Sequence, residues 1–322
     1  MNKKIIIIIA IAIISLLLIA FVALLALYFW PRQTGELQSA NFKKLNYEQA
    51  VKKTESIQAK DKKVANRADD CETKLYTHKK QTAKVVVMMH GITACSDQYN
   101  SLAKKFFDAG YNVYVPLAPH HGTKNPKEHS NVTTAELADY MNTTLSVASG
   151  LGKEVGIIGL SGGANLATWM AQYSGIVSSL LVLSPFYEPA AGAAPKWQVP
   201  LLVGLYGYNI APDAYVYSFS LRALAKYIIV KENYKKDLAA PGLKHVAVVT
   251  SENDTNIDLE LAHYIPQSLS KENNTTFLQT RLAKEMNVEH DIVRPEDPKV
   301  KKHLEQLNDL YFSFYENRQP AK

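Results

Sequence analysis

Short apolar runs recur from residue 85 to the C-terminus, and stretches with helical periodicity separate them. Val85–Met89, Tyr111–Leu117, Val155–Leu160, Leu180–Leu183, His245–Thr250 and Thr276–Leu282 read as strands. Asp97–Ala109, about Thr133–Ala148, Ala164–Tyr173, about Asp258–Leu269 and Val300–Tyr315 read as helices. Strands spaced by helices need crossover connections, so the pattern predicts an α/β fold with a mostly parallel sheet covered on both faces. With 47% hydrophobic and 20% charged residues, the composition excludes disordered, collagen-like and multi-spanning membrane classes. One stretch breaks the rhythm. The 57 residues from Pro185 to Pro241 hold no clear βα unit, are crowded with Tyr, Trp, Leu, Ala and Pro, and are too long for a bare loop. They read as an inserted cap.

The N-terminus is a different kind of segment. Ile5 to Trp30 is a run of 26 residues without a charge. As a helix it reaches roughly 39 Å, more than the ~30 Å hydrocarbon slab of a bilayer. Lys3 and Lys4 mark one interface; Tyr28, Phe29 and Trp30 form an aromatic belt at the other, before Pro31. The run is too long for the apolar part of a signal peptide and no small-x-small cleavage site precedes Pro31, so an uncleaved single-pass anchor over residues 1–31 is expected. Residues 32–70 read as a linker or stalk with a helix at Tyr47–Ala59, and residues 71–322 as the globular body that carries the inserted cap. The positive-inside count is close to a tie; the short lysine-bearing tail favours a body on the extracytoplasmic side. Residues 41–84 hold 12 Lys/Arg against 6 Asp/Glu, which accounts for the whole net charge of +6. No nucleic-acid-binding module accompanies this basic stretch, so it reads as a solvated surface near the membrane.

The sharpest chemical signal is Gly159-Leu160-Ser161-Gly162-Gly163, a G-x-S-x-G between a strand and a helix. Glycines let such a turn pass tightly and push the serine hydroxyl up at the carboxyl edge of the sheet. Neither G-x-x-x-x-G-K-[ST] nor G-x-G-x-x-G is present, which removes the nucleotide readings, and no cofactor is expected. His90-Gly91-Ile92 ends the Val85–Met89 strand. The N–H groups of Ile92 and Gly162 are the candidate oxyanion donors for acyl transfer.

With these elements the chain resembles the α/β-hydrolase superfamily, in particular its membrane-associated esterase and monoacylglycerol-lipase-like branch, over about residues 71–317. The resemblance rests on His90-Gly91-Ile92-Thr93, Pro119-His120-His121-Gly122 and the Ser161 motif. It implies the order nucleophile, acid, histidine. Asp254, in Ser251-Glu252-Asn253-Asp254-Thr255-Asn256-Ile257, matches the family's G-x-x-D-x-x-[VI] loop with serine for the first glycine; Glu252 and Asp258 are the alternative acids. His290 lies between the last strand and last helix, where the family has its catalytic imidazole. The implied triad is Ser161, Asp254 and His290, acting through an acyl-enzyme on carboxylic esters. An acyltransferase or thioesterase using the same intermediate, and a non-catalytic binding protein on the same scaffold, are the competing readings.

His120, His121 and His129 share one loop, but no H-E-x-x-H accompanies them, so they are expected to line the acyl-binding mouth and no metal is expected. His90 is expected to brace the oxyanion turn. The cap aromatics Phe186, Tyr187, Trp197, Tyr206, Tyr208, Tyr215, Tyr217 and Phe219 favour an acyl chain of a membrane lipid as the partner, reached beside a membrane crossed by residues 5–30. Cys71 and Cys95 form a disulfide if the body is extracytoplasmic and stay reduced otherwise.

Overall fold

The central apolar runs become a sheet because they are buried on both sides, while the edge run Thr276–Leu282 stays largely exposed or half-buried. A computed structural model describes residues 3–319. In chain order the strands are β1 (Lys74–Tyr76), β2 (Thr82–Met89), β3 (Asn112–Val115), β4 (Gly152–Leu160), β5 (Val177–Leu183), β6 (Tyr215–Val216), β7 (Phe219–Ser220), β8 (His245–Ser251) and β9 (Thr276–Leu282). Seven of them form one sheet in the order β1-β3-β2-β4-β5-β8-β9, parallel except for β1. Side chains alternate across it: Val85, Val87 and Met89 enter one core, Val86 and Met88 the other.

The helices are α1 (Lys3–Tyr28), α2 (Tyr47–Asp61), α3 (Asn100–Asp108), α4 (Thr134–Leu151), α5 (Gly162–Ser174), α6 (Val199–Gly207), α7 (Leu221–Glu232), α8 (Leu259–Glu272), α9 (Pro298–Lys301) and α10 (Leu304–Tyr315). Residues of α4, α5 and α8 fill the first core, residues of α3 and α10 the second. α4 opens where Thr133 accepts the N–H of Glu136 while the Glu136 side chain accepts the N–H of Thr133. The cap between β5 and β8 contributes α6, the two-residue β6–β7 ladder and α7.

Four elements depart from expectation. β3 stops at Val115 because Pro116 has no N–H to give the ladder. The last helix is two, interrupted at Lys302 and His303. β1 is a three-residue antiparallel edge that the pattern did not announce. Residues 32–70 do not stand off as a stalk. The backbone N–H groups of Asn41, Lys43 and Leu45 donate to the side chains of Asn142, Ser146 and Ser149 along α4. Leu37 is fully buried, and its carbonyl accepts the Trp169 indole N–H at 2.9 Å. α1 is long and apolar enough to cross a membrane, and none of its residues is buried.

Candidate active site

β4 delivers Ser161 to the carboxyl edge, and α5 starts at the next residue. Ser161 has φ +55°, in the region L-residues avoid, so the turn is a strained elbow that its neighbours must hold. They do so by contact and hydrogen bond. A Cβ at Gly159 would sit 2.5 Å from the Gly163 carbonyl oxygen, and one at Gly163 would run into the Met89 backbone. The Ser161 N–H donates to Leu183 O at the end of β5.

Two later loops bring the partners. Asp254 follows β8 and is buried; His290 lies in the connection from β9 to α9. His290 Nδ1 is 2.7 Å from Asp254 Oδ2, and His290 Nε2 is 2.8 Å from Ser161 Oγ. A carboxylate only accepts, so Nδ1 carries the hydrogen and the Nε2 lone pair faces the serine hydroxyl. Asp254 Oδ1 accepts the Asn256 N–H, which fixes the carboxylate plane. Ser251, where the family has glycine, accepts the Asn253 N–H and donates to the Val288 carbonyl, tying the acid loop to the segment before His290. Of the alternative acids, Glu252 is exposed, and Asp258 accepts the N–H groups of Glu260 and Leu261 as the cap of α8.

Ile92 and Gly162 face the same serine across the turn. Among the described residues neither N–H donates to a protein acceptor. The loop that carries Ile92 is held from several sides. Gln98 accepts the Gly91 N–H and donates to Asp291, whose carboxylate also meets Arg294. His90 Nε2 accepts the Ala118 N–H, so its Nδ1 donates to the Gly91 carbonyl. Burial pulls the His90 pKa down to about 3, and the neighbouring His121 adds to the effect. Burial likewise pulls His121 down to about 4; its Nε2 lies 2.5 Å from the Ile92 carbonyl.

These contacts correct one expectation. His120, His121 and His129 do not line the acyl mouth. His121 props the loop that carries Ile92, His129 accepts the Ser220 N–H at the foot of the cap, and His120 meets Glu136. Gln98 and Arg294, which line the same polar cavity as Ser161 and hold its loops, are residues of the site that the sequence reading missed. Neither sits in a motif, and only the loop geometry gives them a role. Cys71 and Cys95 are joined in a disulfide that pins the incoming chain beside the same loop.

Two cavities meet at Ser161 and His290. One, of about 670 Å³, runs under the cap and is walled by Phe186, Leu202, Leu224, Ala225 and Ile228. The other, of about 520 Å³, is polar, with Thr93, Gln98, Asn253 and Arg294. Of the cap aromatics, Phe186, Tyr215, Tyr217 and Phe219 reach the apolar cavity, Tyr187 is core, and Trp197 and Tyr208 point outward.

A parallel sheet with a serine on a strained strand-to-helix elbow, and with its carboxylate and imidazole on two later loops, is the α/β-hydrolase fold. Residues 80–247, more than half of the chain, match the family described as serine aminopeptidase, S33, and the chain belongs to that family of serine hydrolases. Among solved structures it is similar to one from a study of LipS and LipT, two metagenome-derived lipolytic enzymes (TM-score 0.52, 16% identity, 75% of this chain and 98% of that one). The monoacylglycerol lipase of Paleococcus ferrophilus gives TM-score 0.51 at 14% identity over 73% of this chain and 97% of its own. The acylaminoacyl peptidase of Pyrococcus horikoshii gives 0.53 at 11% over 78% of this chain and 40% of its own. At such identities the likeness concerns the fold alone. Among curated proteins, none matches the chain.

Proposed function

We propose that the chain is a serine carboxylic-ester hydrolase acting on lipid-derived acyl groups, with Ser161 as nucleophile, His290 as base and Asp254 as its orienting acid. The observation that carries the reading is the unbroken hydrogen-bond relay from Asp254 through His290 to Ser161, opening into an apolar cavity. His290 Nε2 takes the hydroxyl proton as Oγ attacks the ester carbonyl; the Ile92 and Gly162 N–H groups hold the oxyanion; the imidazolium returns its proton to the departing alcohol. Water then repeats the attack on the acyl-enzyme. The acyl chain occupies the apolar cavity and the alcohol the polar one. An acyltransferase shares every step up to the acyl-enzyme, and product analysis with an added alcohol acceptor separates the two.

The family description raises a second reading, an aminopeptidase. That activity needs a free carboxylate beside the serine for the substrate ammonium group. Of the carboxylates that line the polar cavity, Glu289 pairs with Lys299, Asp291 meets Arg294 and Gln98, and Asp297 accepts the Lys299 N–H as the cap of α9. This favours the ester. α1 serves as a retained anchor in this reading, which its packing on the cap supports, and the disulfide supports a body in an oxidising, extracytoplasmic compartment. The test is a p-nitrophenyl ester series of increasing chain length on wild type and Ser161→Ala. Turnover in the wild type that vanishes in the variant is expected; equal turnover in both overturns the nucleophile.

A further inference from the structure

The end of the anchor does not swing free of the body; it is clamped to the cap. A Cβ built at Gly204, in the middle of α6, would lie 3.1 Å from the Leu27 carbonyl and 3.3 Å from the Leu27 side chain, so the two helices touch at backbone distance. Arg32 closes one side of this crossing, donating to the Tyr28 carbonyl at the end of α1 and to the Pro200 carbonyl at the start of α6 at 2.7 Å. Tyr208, just past α6, closes the other by donating to the Pro31 carbonyl. Asn233, at the end of α7, accepts the Thr34 N–H and donates to the Arg32 carbonyl. α6 therefore lies across the last turn of α1, level with the aromatic belt Tyr28, Phe29 and Trp30.

What the cap exposes there is apolar. Beyond Trp30, the described residues with large exposed hydrophobic side chains are Val64, Trp197, Tyr208, Ile210, Val216, Tyr217 and Tyr264, so five of seven fall within 197–217. Trp197 precedes α6 and Ile210 follows it, at 61% and 59% exposure. Tyr217, at 89%, tips the β6–β7 hairpin. This hairpin and the Leu202 side of α6 wall the same apolar cavity. A soluble surface rarely gathers bulky apolar groups this way, and tryptophan and tyrosine are the side chains that settle at headgroup depth.

We propose that the outer face of the cap is a lipid-binding surface. Trp197, Ile210 and the Tyr217 hairpin lie in the headgroup region of the bilayer that α1 crosses, and the apolar cavity takes its acyl chain directly from that leaflet. The first half rests on α1 spanning the bilayer and the second on the ester-hydrolase reading.

The test uses the full chain reconstituted in phosphatidylcholine vesicles whose acyl chains are brominated near the headgroup, with Trp30→Phe as background, since Trp169 is buried in the body. The proposal expects bromine to quench tryptophan emission, and the quenchable part to disappear when Trp197→Phe is added. Emission that brominated lipid leaves unchanged in the background protein overturns the surface. Delivery is read separately with Trp197→Ser/Ile210→Ser, neither residue lining the cavity. Turnover of a long-chain monoester embedded in vesicles is expected to fall by roughly tenfold, while a water-soluble short ester is cleaved at the wild-type rate. Equal rates on both substrates overturn delivery from the leaflet, as does an equal loss on both. Quenching of Trp197 in a protein that cleaves no ester defeats the ester reading and leaves the surface standing.

Discussion

The floor of the site and its roof are built by opposite means. In the floor, single polar side chains bridge loops that are remote in sequence: Gln98 joins Gly91 to Asp291, His90 joins Gly91 to Ala118, and Ser251 joins Asn253 to Val288. Each bridge satisfies groups that burial would otherwise leave unpaired, so the geometry around Ser161 is over-determined. The roof is walled by Leu, Ala and aromatic side chains and by strands of two residues, and its polar ties lie at its margins, where the Ser220 N–H reaches His129, Arg32 donates to the Pro200 carbonyl and Asn165 donates to the Phe186 and Tyr227 carbonyls. The difference teaches that, under the proposed ester-hydrolase reading, reactivity and substrate range are separable: the floor would position the reacting atoms and the roof would set the length of chain accepted.

The largest expected effect is at Asp254. Asp254→Asn keeps the shape but offers an amide N–H to His290 Nδ1, which favours the wrong tautomer and takes the lone pair away from Ser161. Turnover should fall by about ten-thousand-fold with KM little changed, measured on a short soluble ester. A loss of less than about tenfold would mean that the floor does not depend on this relay. Next is the disulfide, whose 24-residue separation closes a loop worth about 3 kcal/mol in the chain-entropy account. Cys71→Ser/Cys95→Ser should lower stability by that order in urea unfolding while leaving the chain-length optimum of the esters where it was. A shifted optimum would join floor and roof.

Much of this division was legible in the residues. The runs that became β2, β4, β5 and β8 are mostly apolar because both faces of the sheet are covered there, and the edge strand Thr276–Leu282, largely exposed or half-buried, matches the expected bounds to the residue. Gly159-Leu160-Ser161-Gly162-Gly163 announced its elbow, and Ser161, Asp254 and His290 meet as their order suggested. The rest was hidden for definite reasons. Asn41, Lys43 and Leu45 bind α4 through backbone N–H groups, which leave no trace in side-chain periodicity. β1 is held by three residues of edge pairing. The three histidines of residues 120–129 look like one cluster in sequence, yet they turn toward three different partners, because a carbonyl, an N–H and a carboxylate each happen to lie in reach.

The roof can be sharpened by filling it. Leu202, half-buried on α6, faces the apolar cavity. Leu202→Trp shortens the space for a chain, so kcat/KM should fall about tenfold more for the longest esters than for the shortest, within the ~1–3 kcal/mol that a hydrophobic pocket discriminates. A uniform drop across the series would place the acyl chain elsewhere.

The smallest effect per residue comes from protons. Burial is the leading cause that lowers the pKa of His90 and His121 in the floor and of His129 at the foot of the roof, and the first two reach about 3 and about 4. His90 and His121 are neutral in the folded chain down to about those values, and His129 is shifted in the same direction, while the unfolded chain protonates each near pH 6.5. As pH falls below 6.5 the unfolded state binds more protons, so stability declines, and for His121 the decline ends only near pH 4, where the folded ring also titrates. One such histidine contributes about 1 kcal/mol between pH 6.5 and 5.5. Urea unfolding at these two values, for wild type and His121→Gln, should show the variant losing less by that amount. The same slope in both proteins would mean that His121 is protonated at both nitrogens in the fold, donating to both the Ile92 and Pro119 carbonyls, and that the loop carrying Ile92 is held by a charge rather than by a neutral ring.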